Sequence, residues 1–352
     1  MNTISNIAKI LLAVIASMAA TCLAGCYLWQ SAQGEFAVLA RRRPIERVVD
    51  DTATAPALRT QLEEAASIRA FASAELGLPD NGSYRSYTDI GRRYVVWNVV
   101  VAPEFSVEPR KWCYPLVGCV AYRGYFSEEQ ARAFARRWQT RRFDVSVGGV
   151  AAFSTLGHFD DPVLSSMLGS GDVELAALVF HELTHQLLYV PGDAEFSEAL
   201  ATVVEEEGVR RWLLSQRRVA DLSKHRVGRA RVLQTIDLLR SARERLDTLY
   251  TSGLEAPAMR NAKLQQVTEL SRAYARLTAE WGARPPFAEW FERGVNNAEL
   301  ASVATYYDCV PGFERELAAV DGDLRRFYTR VFELAKMDAA VRDAAVCARA
   351  SG

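Results

Sequence analysis

The sequence predicts an α+β fold, predominantly helical, and three observations carry that prediction. Residues 77–155 hold short runs of β-branched and aromatic residues punctuated by Gly, Pro and Asn, the composition of strands. From Asp172 onward almost every stretch repeats its apolar residues at helical spacing. Two long helical patterns then meet at Thr251-Ser252-Gly253, which marks a long antiparallel helical hairpin. Of 352 residues, 49% are hydrophobic and 24% charged, which excludes a wholly disordered or collagen-like chain. With 42 basic and 43 acidic residues the net charge is −1, so no nucleic-acid partner is expected.

Taken in order, residues 1–25 read as a signal peptide. Lys9 precedes an apolar run from Ile10 to Ala20, shorter than the roughly 20 residues a bilayer span needs. Leu23-Ala24-Gly25-Cys26 has the form of a bacterial lipobox, with Cys26 as the lipid-bearing first residue of the mature chain. The expected location is the bacterial cell envelope, with the protein anchored to the membrane through Cys26 and facing the periplasm. Tyr27, rather than Asp, after the lipidated residue favours the outer membrane. A monomer is expected.

An N-terminal helical arm spans 26–76, broken at Pro44, with a second helix over about 57–76. It serves either as a spacer or as part of the core. The main domain is 77–352. In its sheet region, 77–171, Tyr94–Val101 and Asp144–Val147 read as strands, and Val150 to Thr155 as a further extended piece. One helix interrupts them, capped by Ser127, with Glu128 and Glu129 in its first turn. An oxidising compartment favours paired cysteines. Cys113 and Cys119 flank a segment whose Pro115 and Gly118 favour a tight reversal, which predicts a local disulfide; Cys309–Cys347 is the expected second bridge. Residues 172–216 hold a helix over about 173–189, the turn Pro191-Gly192-Asp193 and a helical pattern from Ala194. That pattern runs, with or without a kink, to about Leu249, and a return helix follows over about 258–281. The hairpin, 217–282, is expected to shield a cleft, and its Arg-rich stretch to form a solvated face. Residues 283–352 are helical, with a last helix over about 322–337.

The chemistry concentrates in His181-Glu182-Leu183-Thr184-His185. Positions i and i+4 share a helix face, so both imidazoles reach one ion, with Glu182 beside it as the base for a bound water. The flanking Leu175, Ala176, Leu178, Val179 and Leu187 make this a core helix, where unpartnered His and Glu side chains are costly. A catalytic zinc takes three protein ligands and keeps an open position. Glu198, after the turn, is the expected third ligand, ahead of Glu195, Asp193 and Glu205. Glu198, Thr202 and Glu205 share a face, so Glu205 or Thr202 is placed to orient a ligand histidine. The expected cofactor is one Zn2+ per chain. Tyr306 is the first candidate to stabilise the oxyanion, then Tyr307 and His158. His225 is expected on the surface.

This helix, followed by one that opens with Glu and small or apolar residues, resembles the gluzincin metallopeptidases, the thermolysin-like group. More closely, the chain resembles a bacterial family of predicted zinc aminopeptidase lipoproteins over nearly all of residues 26–350. The resemblance runs through Leu78–Tyr84, Trp97–Val100, Cys119–Phe126, Ser154–Gly157, the histidine helix, Asn296-Asn297-Ala298 and Tyr306. It implies a zincin-like core and hydrolysis of peptides or unfolded polypeptides. Two departures stand out. Ser197 replaces the Asn frequent before the third ligand in that family. Gly148-Gly149-Val150-Ala151-Ala152-Phe153 lacks the acid with which gluzincin aminopeptidases hold the substrate amine, leaving Asp160, Asp161 or another acid for that task. The competing reading is an envelope assembly factor, chaperone-like, whose zinc is structural or rarely catalytic; a peptidoglycan amidase is a weaker third.

Overall fold

The computed structural model describes residues 27, 29–114 and 118–347, and the backbone alone at 304–306. The expected signal peptide, Cys26 and the side chain of Tyr306 lie outside what it describes. Helix α1 covers 29–39, followed by α2 (Ile45–Asp50) and α3 (Pro56–Ala74). This arm is core rather than spacer. Val38, Ile45, Val48, Leu62, Ala65 and Ile68 are buried together with Leu175, Phe180 and Phe196 of the histidine-bearing region.

Strand β1 (Arg43–Pro44) pairs antiparallel with β2 (Ser86–Thr88), which pairs parallel with β8 (Val163–Leu164). The main sheet is antiparallel, with β3 (Val96–Ala102) between β6 (Tyr122–Tyr125) and β7 (Asp144–Val150). Side chains alternate across β3. Val99 and Val101 pack against Ala131 and Ala135 of α4 (Glu128–Gln139), while Val96 and Asn98 face a cavity on the other side. Ser127 caps α4 by accepting from the Gln130 amide at 3.3 Å. The hairpin of β4 (Trp112–Tyr114) and β5 (Gly118–Val120) is closed by the Cys113–Cys119 disulfide, and Cys309–Cys347 is bridged as well. Gly118 sits against the backbone of Gly192, so this disulfide hairpin buttresses the turn between the next two helices.

Those helices are α5 (Asp172–Leu187) and α6 (Ala194–Ser215). Asp193 caps α6 by accepting from the Phe196 amide at 3.1 Å. Ser197 fastens the turn from inside: its hydroxyl accepts from Val190 N–H at 3.1 Å and donates to the Asp193 carbonyl at 2.9 Å. Gly208 lets α6 approach α5 and the segment that follows α3. A Cβ there would come within 2.7 Å of Phe180 and 2.8 Å of Leu76. Gly208→Ala therefore sets a helix-propensity gain of at most about 1 kcal/mol against overpacking of about 1–3 kcal/mol. The expected result is a net loss of about 1–2 kcal/mol in denaturant unfolding.

The helical run from Ala194 is broken after α6. Arg217 takes φ +58 and α7 (Val219–Tyr250) starts anew, with α8 (Ala256–Thr278) returning alongside it. The hairpin is seated on the end of the main sheet by Arg260–Glu104 at 2.5 Å and Lys263–Asp144 at 2.6 Å. Helices α9 (Ala288–Arg293), α10 (Asn297–Tyr307), α11 (Val310–Ala318) and α12 (Leu324–Ala335) follow, and beyond the expected last helix a short α13 (Ala339–Arg342) runs into a π-helical turn, Asp343–Cys347. Among the described residues no helix is long and apolar enough to cross a membrane.

Candidate metal centre and its cavity

His181 and His185 project from one face of α5, with their Nε2 atoms 3.2 Å apart. Glu198 reaches across from the first turns of α6, its Oε2 at 3.3 Å from His181 Nε2 and 3.7 Å from His185 Nε2. These three side chains are the group of potential metal ligands found among the described residues. A tetrahedral zinc with bonds of about 2.0–2.1 Å places its ligand atoms about 3.3–3.4 Å apart. The observed triangle fits that edge length. The donor set, two imidazole nitrogens and one carboxylate, is also one zinc accepts. His185, only 7% exposed, has no hydrogen-bond partner for Nδ1 among the described residues. His181 Nδ1 bonds Glu205 Oε2 at 2.9 Å, the arrangement that fixes the ring of a ligand histidine. The Glu205 alternative for the third ligand is thereby accounted for.

The electrostatics follow from this packing. Burial opposes charge on His181, but its hydrogen bonds to Glu198 and Glu205, which accept, outweigh it and hold its pKa well above the usual value. Burial likewise opposes charge on Glu198, yet His181 and His185 hold its carboxyl down at about 2. Burial raises the pKa of Glu182, partly offset by the two histidines. A raised carboxyl pKa suits a group that must accept and return a proton near neutrality.

His181, Glu182, His185, Glu198 and Glu205 border a cavity of about 920 Å³, whereas the other candidates Asp193, Glu195 and Thr202 do not. Val150 to Ser154 line it, in keeping with the expected cleft-side extended segment, and so do Tyr114, Val120 and Ala121 of the disulfide hairpin. The cavity departs from expectation in its cover. Among the described residues, no lining residue comes from α7 or α8. The ion pairs of Arg260 and Lys263 hold the hairpin at the sheet end instead. The wall is built by Ser31 and Glu35, which share one face of α1, together with Tyr27.

The remaining candidates separate in the same way. The side chain of Tyr306 lies outside the described residues. Tyr307 packs beneath Arg229, with 5.7 Å from the guanidinium to the ring centroid, and does not line the cavity. His158 is exposed and also outside the lining. His225 is not on the open surface. It is half-buried, with its Nε2 2.9 Å from Glu206 of α6. Four phenols line the cavity among the described residues: Tyr27, Tyr114, Tyr189, whose ring centroid is 6.1 Å from that of His185, and, on edge strand β6, Tyr122. Burial, then the nearby charges of Glu198 and Glu182, raises its pKa, so it is held as a neutral donor. No spacing signal marks a single strand tyrosine, and sequence reasoning passed over it.

Behind α5 lies a buried polar network. Asn81 donates to Gln186 Oε1 at 2.8 Å; Gln186 Nε2 donates to Asp161 at 3.1 Å and to Ser83 at 3.2 Å. Asp161 also accepts from the Thr155 amide at 3.0 Å. This side chain, 1% exposed, supports the helix and is not available to a substrate. Burial pushes its carboxyl up to about 6, against the hydrogen bonds from Thr155. A carboxyl raised in the folded state adds stability below its unfolded pKa of about 3.9 and loses it as pH climbs through the folded value. Relative to Asp161→Asn, the wild type should lose up to about 3 kcal/mol between pH 4 and 7. Denaturant unfolding of both proteins across that range measures the difference.

No curated protein and no solved structure matches the chain. The model of the family described as "Putative aminopeptidase" matches residues 26–346, most of the sequence. The chain therefore belongs to that putative aminopeptidase family.

Proposed function

We propose that this chain is a zinc metallopeptidase of the bacterial cell envelope, a gluzincin-like aminopeptidase anchored through Cys26. The observation that carries the reading is the meeting of His181, His185 and Glu198 next to Glu182 on the wall of a large cavity. The family match supports the choice of aminopeptidase, and the lipobox-like Leu23–Cys26 supports the envelope.

His181, His185 and Glu198 would hold the ion, and Glu205 would keep the His181 ring in register. Zinc bound there supplies a Lewis acid and lowers the pKa of a coordinated water to about 7. Glu182 takes a proton from the attacking water and returns it to the departing amine, so one water is consumed for each peptide bond broken. Tyr122 donates a hydrogen bond to the carbonyl oxygen as negative charge develops on it. The Val150–Ser154 segment offers its backbone to an extended substrate, as sheet edges do.

Incubating a mixed peptide library with zinc-loaded protein, followed by mass spectrometry, tests the reading. Stepwise removal of N-terminal residues is the expected product pattern. Internal cuts would discard the aminopeptidase assignment, and binding without cleavage would favour an envelope assembly role.

A further inference from the structure

We propose that Glu35, on the arm helix α1, receives the free α-amino group of the substrate, and that the cavity selects peptides with apolar N-terminal residues. The proposal rests on the peptidase reading above and names the specificity of that same site.

The argument is a charge inventory. Glu35, Glu174, Glu182, Glu198 and Glu205 line the cavity, and no Lys or Arg does among the described residues. Four of these carboxylates are committed. Glu198 and Glu205 bond the histidines, and Glu182 is the proton carrier. Glu174 is exposed in the first turn of α5, with its carboxylate against Gly171, where the helix N-terminus stabilises negative charge. Glu35 is the remaining one. No hydrogen bond or ion pair reaches it among the described residues. Burial raises its pKa against a smaller opposing effect from His158, a residue outside the cavity lining. A carboxylate partly withdrawn from water is costly until something pairs with it.

The wall around Glu35 is fixed rather than loose. The backbone of Gly34 lies flush on the Phe126 ring, where a Cβ would approach to 2.1 Å. Gln30 donates to the Gly124 carbonyl and accepts from the Phe126 amide, each at 3.3 Å. These contacts clamp α1 to the end of β6 and hold Glu35 at the cavity. An ammonium group from the substrate supplies the missing partner. A C-terminal carboxylate finds no Lys or Arg in this lining among the described residues, which sets the polarity of the bound peptide. Val96, Ala152, Phe153, Met167 and Leu178 provide apolar walls for the side chains next to the amine. The acids that the sequence offered for this role are placed elsewhere: Asp161 is buried in the network behind α5, and Asp160 does not line the cavity.

Leucinamide and N-acetyl-leucinamide share an apolar side chain and an uncharged C-terminus and differ in the amine. Their binding to wild type and Glu35→Gln, by calorimetry on metal-loaded and metal-free protein, tests the proposal. Wild type should bind leucinamide about 10- to 100-fold more tightly than the acetylated compound. Glu35→Gln should abolish that preference while leaving metal content and melting temperature unchanged. Equal binding of both compounds to wild type, no binding of leucinamide, or an unaltered preference in Glu35→Gln would each overturn it. Hydrolysis of a leucine-terminated peptide, followed in parallel, separates the two readings. An amine preference that needs Glu35, with no cleavage, retires the peptidase and keeps the amine site. Cleavage with a preference that ignores Glu35 does the reverse.

Discussion

Glu182→Gln should lower peptide hydrolysis about 1,000-fold while the protein keeps its metal. Gln has the shape of Glu and fills the same space, but it cannot accept the proton that the attacking water must lose. General-base removal typically costs about 10²–10⁴-fold, and 1,000-fold corresponds to about 4 kcal/mol of barrier. The ligand set of His181, His185 and Glu198 is untouched, so metal content should stay at the wild-type value. The loss should fall on kcat with KM little changed, because the carboxylate acts in the transition state more than in binding. A variant with more than about a tenth of wild-type kcat would remove Glu182 from the base role.

Arg69→Ala should destabilise the fold by about 3–5 kcal/mol, a loss measurable in denaturant unfolding. Arg69 is 2% exposed, and its guanidinium bonds acceptors on four residues. Nε donates to the Ser83 carbonyl at 2.7 Å, Nη1 to Ser73 Oγ at 2.5 Å, and Nη2 to the carbonyls of Pro79 at 2.7 Å and Asn81 at 3.1 Å. The nearest carboxylate, Asp80, is 3.9 Å away and largely in solvent, so carbonyl dipoles rather than an ion pair hold this buried cation. Removing it leaves those carbonyls without their donor and frees the 79–84 loop. That loop carries Asn81 and Ser83, which bond Gln186 next to His185. Activity should therefore fall with stability. Lysine should not rescue either, since one ammonium cannot replace a planar fork of donors.

How much of this was legible in the sequence depended on whether a residue belonged to a repeating pattern. The histidine helix was legible because i and i+4 share a face and four His in 352 residues make the spacing specific. The convergence of Glu198 and Glu205 on His181 followed from a Pro-Gly turn that returns one helix along another. Ser127 was legible as a cap because a short polar side chain preceded two acids. Strands β1 and β8 were not legible, since two residues carry no periodicity. The stop after α6 lacked Gly or Pro; Arg217 itself adopts the left-handed conformation, and the continuous helix remained possible on paper. The cleft cover was misplaced for a related reason. The hairpin was readable as two helices, but its seat is set by Arg260 with Glu104 and Lys263 with Asp144, partners more than a hundred residues apart. Tyr122 and Glu35 are single residues on elements that looked merely structural, and only the folded chain shows them lining the same cavity as His181, His185 and Glu198.

The most direct test of the account is the metal content of purified wild type and of the His181→Ala/His185→Ala double variant, measured by elemental mass spectrometry after zinc reconstitution and dialysis. The account predicts one zinc per wild-type chain and none retained by the double variant, with both proteins folded. Wild type that retains no zinc, or a double variant that retains as much as wild type, would contradict it.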